Sequence, residues 1–130
     1  MVDSRVVSEW LAKAEEDYLF TEKLIGDEES FFAPLCFHCQ QAAEKYLKAY
    51  IVAHSLQFRK THDLVEILEL CKEKDKEFTE LDDDVRRLSG YYVDTRYPTT
   101  WPVGYIKDDA LIAFAAAGRI REFIKTKLPR

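Results

Sequence analysis

Apolar residues recur every three or four positions along most of this chain, and that spacing predicts helices. From residue 4 to 25, Val7, Trp10, Leu11, Ala14, Tyr18 and Ile25 mark one stripe between acids and lysines, and Gly26 ends it. "DEESFFAP" reads as a linker, with Pro34 suited to the first turn of a helix because its missing N–H is not needed there. The next helix is predicted to run to about His54, with Leu35, Cys36, Cys39, Ala42, Ala43, Tyr46, Leu47, Ala49, Tyr50 and Ala53 on one broad arc. His38, Gln41, Glu44, Lys45 and Lys48 fall on the opposite arc. An apolar face that wide suits a central helix with at least two neighbours.

Further on, Thr61 is expected to cap a third helix carrying Leu64, Val65, Leu68 and Cys71, which the lysine-rich "CKEKDKEF" should end in solvent. Thr79 with Asp82 has the spacing of a capping box for a fourth helix with Leu81, Val85, Leu88 and Tyr92 on one side. Pro98 and Pro102 forbid its continuation. A last helix, from about 105 to 127, repeats Ile106, Ala110, Ala113, Ala117, Ile120 and Ile124, with Asp108 and Asp109 early and Lys125 and Lys127 late, the sense that suits the helix dipole. No alternating strand pattern interrupts these segments. The expected fold is all-α: one domain over residues 1–130, a five-helix antiparallel up-and-down bundle.

Composition narrows the function. The chain has 130 residues, of which 47% are hydrophobic, enough for one packed core without a ligand. With 19 basic and 24 acidic side chains the net charge is −5, which disfavours broad nucleic-acid binding. No basic segment followed by an apolar one opens the sequence, and no apolar run is long enough to span a membrane, so a cytoplasmic protein without membrane contact is expected. Three cysteines cannot all pair within one chain. Cys36 and Cys39 have the spacing of zinc ligands, but no second ligand pair accompanies them and both fall on the apolar arc, so packing is expected and no metal or cofactor.

Two stretches carry candidate chemistry. His38, Gln41, Lys45 and Lys48 form a polar line that either holds phosphate oxygens or is a solvated face on which Glu44 balances the lysines. His62 is not needed for helix formation and either pairs with an acid, packs on an aromatic, or lines a cleft. The second stretch is "YYVDTRYPTTWPVGY", residues 91–105, too long and too aromatic for a plain connection. In it Arg96 beside Tyr97 is either an anion fork flanked by a stacking ring or one half of an ion pair in a docked strap. Candidate nucleotide or anion contacts are therefore Lys45, Lys48, His62, Arg96 and Tyr97. Tyr92, Tyr97, Trp101 and Tyr105 are candidates for a dimer interface.

The order of these pieces resembles a known family. "FHCQQAAEKYLKAYIVAH", "KTHDLVEIL", "YYVDTRYP" and an alanine-rich last helix, together spanning about residues 5–127, resemble the HEPN domain, the higher-eukaryote and prokaryote nucleotide-binding domain. That resemblance implies a small helical bundle, often dimeric, and commonly paired in prokaryotes with a minimal nucleotidyltransferase in a two-component system of toxin–antitoxin type. Some members are metal-independent ribonucleases with an arginine followed after four to six residues by a histidine. This chain departs from that pattern, because none of His38, His54 and His62 follows an arginine at that distance, and Tyr91 and Tyr92 follow Arg86 and Arg87 instead. A tyrosine is a poor proton shuttle at neutral pH. The expected function is a nucleotide-binding and partner subunit, with no catalytic residue assigned. The alternatives are a ribonuclease using Arg86, Arg87 or Arg96 without the usual histidine, and a structural homodimer with a vestigial pocket.

Overall fold

The structure, a computed structural model, describes residues 4–57, 60–91 and 104–129. Among the described residues five α-helices form a bundle: α1 (Ser4–Leu24), α2 (Phe32–Ala53), α3 (Leu64–Lys74), α4 (Asp82–Leu88) and α5 (Lys107–Lys127). A 3-10 helix, Lys76–Leu81, joins α3 to α4. Strands are absent among the described residues. α2 is the centre, packed against all four other α-helices, as its wide apolar arc predicts.

The core is built chiefly from α2 and α5. Tyr46, Leu47, Ala42 and Ala43 meet Ala113, Ala116, Ala117, Ile120 and Ile124, all fully buried, and small residues on both helices let the two axes approach. Leu64, Ile67 and Leu68 from α3 and Val85 and Leu88 from α4 close the other side. Each large apolar side chain so buried contributes about 1.5–3 kcal/mol relative to exposure. At the end of α4, Gly90 takes φ 99°, a left-handed turn that a Cβ would strain, and the chain leaves the helix there.

Several local expectations are corrected. Asp63, not Thr61, caps α3: its carboxylate accepts from the Val65 and Glu66 amides at 3.0 and 3.3 Å, while the Thr61 hydroxyl accepts from the Asp63 amide at 3.1 Å. Both residues are good caps, and the helix begins after the second. Thr79 caps nothing, because a 3-10 turn begun at Asp75 already occupies 76–81 and runs straight into α4. That turn is not spent in solvent: Phe78 is fully buried, its ring 4.5 Å from Tyr50 and 4.9 Å from Phe123. On α3 Leu64, Leu68 and Cys71 are buried as expected, but the fourth inward residue is Ile67, one turn from Leu64 and Cys71 on the same face, while Val65 is 41% exposed. Ile106 is 60% exposed, since it precedes α5 and takes part through its backbone: its amide donates to the Asp109 carboxylate at 2.9 Å and its carbonyl accepts from the Asp109 and Ala110 amides at 3.0 and 3.3 Å.

Candidate functional site

The polar side of α2 is not a solvated row. Glu44 and Lys48, one turn apart, are only 3% and 5% exposed. Lys48 Nζ donates to Glu44 at 2.9 Å, and His62, arriving from just before α3, places Nδ1 3.0 Å from the same carboxylate. Gln40 Nε2 approaches Glu44 and the His62 carbonyl, each at 3.4 Å, and Gln41 donates to the Gln40 side-chain oxygen at 2.7 Å. Glu44 is thus a buried acceptor shared by an ammonium, an imidazole and an amide. Nδ1 is thus the ring nitrogen that His62 turns toward Glu44, and Nε2 the one turned away from it.

The solvated reading of this line is therefore corrected. α1 and the segment before α3 cover the arc, and burial is tolerated because each charge meets its counter-ion. Of the alternatives for His62, pairing with an acid is the one observed, on a side chain still 52% exposed. Trp10 from α1 lies over this corner, with Lys48 Nζ 5.6 Å from its ring centroid, a cation–π distance. Beside the indole a surface cavity of about 410 Å³ is bounded, among the described residues, by Glu9, Trp10, Ala12 and Lys13.

Lys45 goes elsewhere. Its Nζ donates to Asp17 of α1 at 2.6 Å, and His38 Nδ1 meets the other oxygen of that carboxylate at 2.8 Å. Burial works to raise the Asp17 carboxyl, but the bonds from His38 and Lys45 outweigh it and hold the group below the usual carboxylate range. Two residues earlier, Glu15 accepts a two-pronged Arg121 guanidinium from α5 at 2.7 and 3.0 Å and the Tyr46 hydroxyl at 2.5 Å. The Arg121 fork, against the opposing effect of burial, holds the Glu15 carboxyl down at about 2. The same carboxylate and the burial of the ring push the Tyr46 hydroxyl upward, so it stays a donor.

Of the five candidate nucleotide contacts, the structure brings Lys48 and His62 together and separates Lys45 from them. Arg96 and Tyr97 lie outside the described residues, as do Tyr92 and Trp101 of the candidate interface. Tyr105 is half-buried, its ring edge-on to Tyr91 at 5.9 Å within the same bundle. Arg86 and Arg87 are exposed on α4, Arg86 within 3.9 Å of Asp83. Cys36, Cys39 and Cys71 are buried in the core, and burial pushes all three thiols up to about 12, the condition of packing residues rather than of nucleophiles.

The sequence reading missed two participants, Trp10 and Gln40. Trp10 sits on the apolar stripe of α1 and was assigned to the core, whereas it stays half-buried at the rim. Gln40 precedes Gln41 and stands four residues before Glu44, a hydrogen-bonding spacing within a helix that is the available signal.

With this geometry in view, comparison with known proteins fixes the class. A HEPN domain model matches residues 7–127, nearly the whole chain, and the protein belongs to the HEPN domain family. Among solved structures it is similar to the crystal structure of an archaeal HEPN homologue, with a TM-score of 0.75 and 23% identity over 95% of this chain and 98% of that one, a likeness of fold. A search of the curated proteins found no match.

Proposed function

We propose that this protein is a nucleotide-binding HEPN subunit that works with a minimal nucleotidyltransferase, and that the Trp10 corner receives the nucleotide. The observation that supports this most is the Trp10 ring, which lines a cavity on one side and lies 5.6 Å from the Lys48 ammonium, itself sharing Glu44 with the His62 imidazole. The indole offers a base a stacking face that does not depend on its sequence identity. Lys48 offers donors to phosphate oxygens, and Glu44 orients it together with the His62 ring. Arg96 and Tyr97 are proposed to complete the contacts, and the working protein is proposed to be a homodimer.

Titrating ATP, AMP and inorganic phosphate against Trp101→Phe protein, in which Trp10 is the remaining tryptophan, tests the reading by fluorescence quenching. Saturable quenching by ATP, lost in Lys48→Met, is the expected result. No binding of any of the three at about 1 mM, a threshold of roughly −4 kcal/mol, refutes the site. Co-expression with a nucleotidyltransferase encoded alongside should give a complex that survives purification. Purified protein incubated with unstructured RNA in chelator is expected to leave it intact, and cutting that disappears in Arg96→Ala would replace this reading with the ribonuclease one.

A further inference from the structure

On the side of the bundle formed by α1, α4 and α5, an open trough of about 660 Å³ runs along α5. Its floor extends from Phe114 to Thr126, thirteen residues rising about 18 Å along the helix. The middle of the floor is low, because Ala115 and Gly118 carry almost no side chain. Tyr18 from α1 makes one wall, stacked on Phe114 at 4.7 Å and 21°, and passes close to Gly118, where a Cβ would stand 3.1 Å from the Tyr18 hydroxyl and the ring would have to give slightly. Leu81 with Glu80 and Asp84 makes the other wall.

The charge on the lining is one-sided. Glu80, Asp84 and Glu122 face a single guanidinium, Arg119, which is held in a fork on Asp84 at 2.8 to 3.1 Å. Arg121, beside the trough with its guanidinium 4.6 Å from the Tyr18 ring centroid, is forked on Glu15 and also donates to Glu122 at 3.1 Å, which leaves an acidic excess centred on Glu80. Exposed acid therefore flanks an aromatic channel.

We propose that this trough docks an amphipathic helix of a partner protein, with apolar residues at i and i+4 on the aromatic floor and lysines or arginines against Glu80 and Glu122. A channel this open cannot enclose a small molecule, which a ligand pocket normally buries by 70% or more. Its negative lining repels nucleic acid and anionic lipid alike. A straight floor three turns long between two walls is the shape a guest helix fits, and the acids select its charge. The inference is independent of nucleotide binding at the Trp10 corner, on another face.

The test uses a fluorescein-labelled model helix of about sixteen residues, long enough to cross the trough, with leucines at i, i+4 and lysines opposite. A twin carries glutamates in place of the lysines. The lysine helix should bind the full-length protein at micromolar concentration, less tightly as salt is raised, and the glutamate twin should not. Ala115→Trp, which fills the exposed floor, and Glu80→Lys, which reverses one flank, should each weaken binding about tenfold, with the circular dichroism and ATP response of each variant unchanged. Equal binding of the twins, no binding of either, or unaltered affinity in both variants overturns the proposal. So does a wild-type dimer that Ala115→Trp dissociates, since a second copy would then be the occupant.

Discussion

Replacing Glu44 tests the reading of α2 most directly. In Glu44→Leu the Lys48 ammonium, 5% exposed, and the His62 imidazole lose the carboxylate they share, and breaking a buried pair by removing one partner costs about 3–5 kcal/mol. Lys48→Met is milder, because Glu44 keeps His62 at 3.0 Å and Gln40 at 3.4 Å, so the loss of one charged bond costs about 1.5–3 kcal/mol. In the double variant both charges leave together and two apolar side chains of similar volume fill the space. Pairs exchanged in this way are often neutral. His62 can turn to water from a half-exposed position, and Gln40 retains Gln41. The double variant should therefore lie within about 1 kcal/mol of wild type, far from the sum of the singles. Urea unfolding followed by circular dichroism measures all four proteins, with an unchanged m-value as the check on two-state behaviour. For a chain of this size about 3 kcal/mol corresponds to a fall in Tm of roughly 10 °C. Additive singles, or a Glu44→Leu cost below about 1 kcal/mol, would show that the pair is solvated and the account of the site mistaken.

Three further outcomes follow from the same physics. Glu15 has its carboxyl lowered from 4.5 to about 2 by Arg121, so its contribution is fully present above pH 4.5 and is lost as pH falls toward 2. Discounted for partial exposure this is about 1–2 kcal/mol, and acid titrations should show wild type losing that much more stability than Glu15→Gln across the window. The three buried thiols, with burial raising each to about 12, should resist a thiol reagent at pH 8 in native protein and all react in urea; one fast thiol without denaturant would contradict the packing role. Asp63→Ala should cost about 1 kcal/mol and Thr61→Ala clearly less, and the reverse order would return the cap of α3 to Thr61.

The helices were legible in the sequence because their signal is local. One helical period lies within a few residues, and the stripes of α2 and α5 survive almost unchanged in the core. The start of α3 was not, since Thr61 and Asp63 are both competent caps and only the packing of Leu64 and Ile67 decides between them. Phe78 was lost among lysines because a 3-10 turn has no 3.6-residue stripe to display. The site was hardest. Glu44 and Lys48 read as surface charge, and what buries them comes from a distance: Trp10 stands well before them in sequence and His62 well after.

The carboxylates of α1 also settle how that helix is aligned. Ala14 and Thr21 are its only fully buried residues, and side chains so small would tolerate sliding along α2. Glu15 and Asp17 would not. A slide of one turn, about 5.4 Å, would pull Glu15 from Tyr46 and Arg121 and Asp17 from His38 and Lys45 together, leaving several half-buried charges with no partner. The two acids act as pins that fix the register of α1 on the bundle, so that Trp10, two turns nearer the N-terminus, is delivered over Lys48 and not past it.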